Sequence, residues 1–182
     1  MTNAAEEVHR DGVQPPLPNG TWTVDSQRSE IGFAMKGMWG LATVRGSFDT
    51  YNGRLRSRDG EADGELTIIA NSLRTGNAKR DKHLRSEDFF DVERHPTITF
   101  KARRIEVGEN GPAIAGELAL AGSRVPLRIP VSVKHEPQGA LQLAARTSVA
   151  RPAVGLEWNW LGSIRGDAEL HVRLALVPSA RG

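Results

Sequence analysis

The sequence predicts an all-β, single-domain antiparallel β-barrel of about eight strands with one short helical insertion. Three observations carry that expectation. Short segments of alternating apolar and polar residues recur at barrel-like spacing. The clearest, residues 163–176, keeps Ile164, Gly166, Ala168, Leu170, Val172, Leu174 and Leu176 on one side and Arg165, Asp167, Glu169, His171 and Arg173 on the other. Only 38% of the 182 residues are hydrophobic, which suits strands that bury one face and leave the other wet. Glycine also falls inside the apolar register of three strands, at Gly46, Gly64 and Gly116. There it signals either wall curvature or volume given up for an internal cavity, and the pattern alone leaves both open.

Composition sets the bounds. The length fits one domain able to enclose a core or cavity. A net charge of +2 with interspersed signs gives no footprint for nucleic acid. The absence of cysteine removes disulfides, thiolate metal sites and cysteine nucleophiles. The first twelve residues carry Glu6, Glu7, Arg10 and Asp11 with no apolar run, so the expected compartment is the cytoplasm, without a signal peptide or transmembrane segment.

In chain order, residues 1–20 read as a disordered arm, Pro-rich at Pro15, Pro16 and Pro18, and residues 21–178 as the barrel domain, with 179–182 a tail. Trp22-Thr23-Val24 opens the ordered part, and residues 30–35 place Ile31, Phe33 and Met35 inward. A Gly-rich loop holding Met38 and Trp39 follows, with Trp39 a candidate gate at the barrel mouth. Residues 43–49 turn Val44, Gly46 and Phe48 inward, and Asn52-Gly53 marks a hairpin turn. Strands are expected near residues 61–68, 98–102, 113–120, 125–133, 141–147 and 163–176. The strand at 125–133 keeps its odd-numbered apolar positions through Pro126 and Pro130. Neither proline can donate to a ladder, so a short break in the barrel's closure is expected there.

The strand pattern is interrupted once, by residues 80–100. A charged segment of helical character runs into Phe89-Phe90, and a turn at Pro96 leads to the strand-like Thr97-Ile98-Thr99-Phe100. The insertion reads as a cap or plug; on a short helix or tight turn both rings can point roughly inward, and at least one is expected to enter the lumen. The run Arg80-Asp81-x-His83-Leu84-x-Ser86-x-Asp88-Phe89-Phe90-Asp91-Val92-Glu93, then Pro96 to Phe100, resembles the signature of the YceI-like family. Trp22-Thr23-Val24-Asp25, Ser29-x-Ile31-x-Phe33, Val44-x-Gly46-x-Phe48, Thr75-Gly76-Asn77 and Gly155-Leu156-x-Trp158-Asn159 extend the resemblance over residues 21–178. It implies a lipocalin-like barrel whose interior holds a long isoprenoid chain, with no established catalytic activity and with a homodimer as a family-level expectation. The chain departs from the family in having Arg28-Ser29 where histidine-serine is common, Gly37 where a histidine often follows, and Pro152, Ala153 and Val154 near the end.

Alternation names the expected lining: Phe33, Met35, Phe48, Leu66, Ile68, Phe89, Phe90, Ile98, Phe100, Leu118 and Trp158. Such a lining suits a flexible hydrocarbon with little polar decoration. With the resemblance, the expected ligand is a polyisoprenoid, either polyprenyl or isoprenoid quinone, carried or stored with transient membrane contact. Arg28, Arg80 and His83 are candidates for its head group. No cofactor and no metal are expected, because the histidines have no ligand spacing. Two other classes stay open, a small enzyme using Arg80, Asp81 and His83 and a stress-related interaction protein whose barrel is structural.

Overall fold

The structure, a computed structural model, describes residues 17–37, 41–109, 111–154, 156 and 165–179. Its strands are β1 (Gly20–Gly37), β2 (Ala42–Phe48), β3 (Tyr51–Arg58), β4 (Glu61–Ile69) and β5 (Leu73–Arg74), then β6 (Thr97–Gly108), β7 (Gly111–Leu120), β8 (Ser123–His135), β9 (Leu141–Val149) and β10 (Arg165–Pro178). One helix, α1 (Ala78–Arg85), lies between β5 and β6. β1, β3, β4, β6, β7, β8, β9 and β10 form an antiparallel ring of eight, closed by the pairing of β10 with β1. Such a ring has an interior just wide enough for side chains or one slender ligand.

The eight are not all the eight expected from the sequence. The segments at Trp22 and at residues 30–35 belong to one strand, β1, whose ladder with β10 is interrupted by a bulge between Asp25 and Glu30. Ser29 closes that bulge by donating to the Asp25 carbonyl at 2.7 Å and accepting from the Ala175 N–H at 2.9 Å. The first part of β1 pairs with β3 and the last part with β2. Asn52-Gly53 is no turn: it lies within β3, opposite Thr67 and Leu66. The β3–β4 turn is Asp59-Gly60, with φ of 52° and 86°, as a two-residue hairpin of the primed type requires.

Ordered structure also begins earlier than expected. Leu17 is fully buried, and Asn19 exchanges hydrogen bonds with Asp59, so the plug of the barrel end where β1 starts includes residues before the first strand. Trp22, Leu141 and Leu176 complete that plug, and the Trp22 indole donates to the Gly139 carbonyl at 3.0 Å. The remainder of the expected arm, the candidate gate Trp39 and the lining candidate Trp158 lie outside the described residues.

Candidate functional site

At the opposite end from Trp22, α1 and the turns after it fold over the wall. Asn77 caps α1 by accepting the Arg80 N–H at 3.0 Å. The chain then reverses: the Phe90 N–H donates to the Leu84 carbonyl at 3.0 Å, and Asp91 adopts a left-handed φ of 44°. That reversal splays the two adjacent rings. Phe90 joins Phe33 and Phe48, with centroids 6.5 and 6.0 Å away. Phe89, though buried, packs edge-on against His83 at 5.3 Å and does not border the interior space, so Phe90 is the one ring of the two that lines the interior.

The interior holds a cavity of about 160 Å³ bounded by side chains from β1, β2, β3, β4, β6, β7, β8, β9 and β10. Phe33, Met35, Phe48, Leu66, Ile68, Phe90, Ile98, Phe100 and Leu118 border it as the alternation suggested. The sequence list omits much of its far wall: Leu127, Ile129 and Val131 on β8, Leu143, Ala145 and Val149 on β9, and Leu170, Val172 and Leu174 on β10. Their period-two pattern was visible, and following it through every strand would have found them. The lining is almost wholly apolar. Arg54 and Glu65, its only charged neighbours among the described residues, are both exposed.

Gly46 and Gly116 do not leave room for a ligand. A Cβ on Gly46 would lie 2.5 Å from the Phe33 ring and 2.8 Å from the Arg74 carbonyl oxygen, and one on Gly116 would lie 2.7 Å from the Phe100 ring and against the Lys101 backbone. The space is already taken by a cross-strand ring and a neighbouring strand. These glycines let the wall curve and the two rings pack flat against it.

The candidate head-group residues are not brought together. Arg28 pairs with Glu136 at 2.9 Å at the Trp22 end. Arg80 donates through Nε to Thr75 Oγ1 at 2.8 Å and through Nη2 to the Thr75 carbonyl at 2.9 Å. His83 Nε2 lies 3.2 Å from the Asp88 carboxylate. None of the three borders the cavity. Asp81, buried, accepts from the Thr75 N–H at 2.9 Å and the Thr75 hydroxyl at 2.5 Å, so Arg80 and Asp81 together clamp the loop that enters α1.

A buried cation that the sequence reading passed over is Arg151. Its Nε donates to the Gly166 carbonyl at 3.0 Å and its Nη1 approaches the Leu156 carbonyl at 3.5 Å, tying the β9–β10 connection to the wall. Burial lowers its pKa, opposed by the Asp167 carboxylate. No group of three or more His, Asp or Glu side chains among the described residues could hold a metal ion, and no helix there is long and apolar enough to cross a membrane.

A closed eight-stranded antiparallel ring around an apolar cavity, capped by one helix, defines the molecule as a lipocalin-like barrel. The sequence model of the YceI-like domain matches residues 22–176, and the chain belongs to that family. It is 34% identical to a UPF0312 protein of Pseudomonas aeruginosa over 108 residues, 58% of this chain and 56% of that protein. It is 33% identical to another from Pectobacterium atrosepticum over the same share of each. The alignments thus span little more than half the length of these relatives. The fold is similar to that of BcnA from Burkholderia cenocepacia, with a TM-score of 0.75, 19% identity and coverage of 84% of this chain and 98% of that one. It is also similar to a polyisoprenoid binding domain from Saccharophagus degradans, with a TM-score of 0.71, 17% identity and coverage of 87% and 98%.

Proposed function

We propose that this protein binds the hydrocarbon chain of a polyisoprenoid lipid, a polyprenyl compound or an isoprenoid quinone, inside the barrel, and carries or stores it. The observation that carries this reading is the cavity: within the wall and, among the described residues, almost wholly apolar, its two charged neighbours Arg54 and Glu65 both exposed. A cavity of that size takes on the order of ten water-sized groups, roughly two five-carbon isoprene units, before any wall residue moves. At about 0.8 kcal/mol per buried methylene, that length offsets an association cost for which estimates begin near 4 kcal/mol. Fold similarity to a polyisoprenoid binding domain supports the choice of chain.

The side-chain contacts favour binding over the enzyme reading. Arg80 and Asp81 are occupied with Thr75, and His83 with Asp88 and Phe89, each outside the cavity lining. Transfer of geranylgeraniol from phosphatidylcholine vesicles to the protein tests the proposal. Saturable uptake competed by longer isoprenoids and not by polar metabolites is expected. Failure to take up any isoprenoid would contradict it.

A further inference from the structure

The ladder between β8 and β9 stops half-way. Val131 to His135 pair with Ala145 to Leu141, whereas, among the described residues, 123–130 of β8 pair only with β7 and 146–149 of β9 only with β10. Pro130 stands next to the last rung and has no N–H to donate to another. The wall's other interruption, where β1 leaves β3 for β2, is filled by β5, α1 and the Phe90 ring. Across the β8–β9 interruption the described residues place the short 3-10 turn Arg151–Val154, packed on β8 and β10 and held through the Arg151 guanidinium, and Leu156, which is buried and borders the cavity.

Apolar and polar spaces meet at this seam. Inside it, Ile129, Val131, Ala145 and Val149 border the cavity. Outside it runs a groove of about 920 Å³ bordered by Pro130, Ser132, Ala144 and Arg146, and Phe33, Met35, Val131, Ala145 and Val172 border both spaces. Arg146 lies opposite His171, and Arg173 opposite Ala144, so the two arginines are diagonal neighbours on the outer face. Neither makes an ion pair or hydrogen bond within the described structure. Glu169 is the partner of His171 at 4.0 Å, and Glu30 stands in register with Arg173 without an ion pair. Lysine and arginine outnumber carboxylates around the groove by four to three, an excess of one positive charge among the described residues.

We propose that the isoprenoid chain passes sideways into the barrel between β8 and β9, and that an anionic head of the phosphate class stays in the outer groove on Arg146 and Arg173. This rests on the polyisoprenoid reading. It accounts for an amphiphile longer than the roughly two isoprene units the cavity holds: the end of the tail occupies the interior, the rest of the chain lies in the widened seam, and the head is never dragged through the apolar wall. An arginine pair is suited to such a head because each guanidinium presents a fork of donors to phosphate oxygens.

The test uses a disulfide across the last rungs. Ser132 and Ala144 are opposite one another on the outer face, and the chain has no cysteine of its own, so Ser132→Cys with Ala144→Cys gives one pair that locks β8 to β9 below the seam. Geranylgeranyl phosphate and geranylgeraniol are offered from phosphatidylcholine vesicles. Oxidation is expected to slow both uptake and release about tenfold or more, with equilibrium occupancy unchanged and reduction restoring the rate. The same disulfide at Arg56→Cys with Asp63→Cys, on β3 and β4, leaves the rate alone. Equal rates for the oxidised and reduced 132–144 pair would overturn the lateral route while leaving carriage intact, and no uptake in any form would instead overturn carriage. In the unsubstituted protein, loading should protect the amides of residues 127–129 and 146–149 from hydrogen exchange more than those of the β3–β4 hairpin, and uniform protection would also count against the route. Arg146→Gln with Arg173→Gln should weaken binding of the phosphate about tenfold or more and spare the alcohol. Equal loss for both, or loss for neither, would remove the head-group assignment.

Discussion

Phe89 and Phe90 are adjacent in sequence and serve different contacts, so single substitutions separate them. Phe90→Ala opens the aromatic cluster with Phe33 and Phe48 at the cavity wall, and should lower stability by about 3–5 kcal/mol and speed loss of a bound chain. Phe89→Ala, acting on the packing with His83, should cost stability with little change in retention, as read by chemical unfolding and vesicle transfer together. Which of the two rings enters the interior could not be read from the sequence, because it depends on the reversal after Leu84. The glycines were half-legible for a similar reason. Their register was visible, but the ring lying over each is a cross-strand neighbour. Gly116→Leu should therefore prevent folding, seen as loss of the cooperative unfolding transition, since its Cβ would meet the Lys101 backbone. Tyr51 supplies a pH test. Burial first, then Glu30 and Asp49, raises its pKa, so the folded state holds the phenolic proton longer than the unfolded chain. The associated stability is complete below the unfolded value of about 10 and is lost as pH rises through the higher folded value. Unfolding free energies should fall across that alkaline range in the wild type and fall less in Tyr51→Phe.

At the scale of elements, the strands were legible wherever one face is buried, because the period of two survives in the residues themselves. β10 and β8 are the clearest cases, and the prolines of β8 marked the incomplete pairing with β9. The bulge that makes β1 one long strand was hidden, since Ser26 to Ser29 carry no apolar alternation and the continuity is supplied by β10. Asn52-Gly53 misled because a turn-prone dipeptide was weighed above its flanking pattern, whereas Asp59-Gly60 carried the same kind of signal at the true turn. Helix α1 depends on local polar contacts more than on propensity. Asn77→Ala should destabilise it by about 1 kcal/mol, visible as faster amide exchange confined to residues 78–85. Asp81→Asn should loosen the loop at Thr75 and leave chain binding largely intact.

For the whole molecule, the ring of eight strands, with Phe48 from β2 and Phe90 from the turn after α1, turns nine of the eleven proposed chain-binding side chains, scattered from Phe33 to Leu118, toward one apolar space. What the sequence could not supply is long-range: the far wall's share of that space, the plug that reaches back to Leu17, and the dispersal of Arg28, Arg80 and His83 into contacts at opposite ends of the barrel. As proposed, the interior is a lipid site whose affinity grows with buried chain length and owes little to α1's polar groups. Mass spectrometry of organic extracts from the natively purified protein tests that claim most directly. An isoprenoid in stoichiometric amount is expected, depleted in Phe90→Ala and retained in Asp81→Asn. Extracts with no isoprenoid from a protein that also takes none up from vesicles, or a polar metabolite in its place, would contradict it.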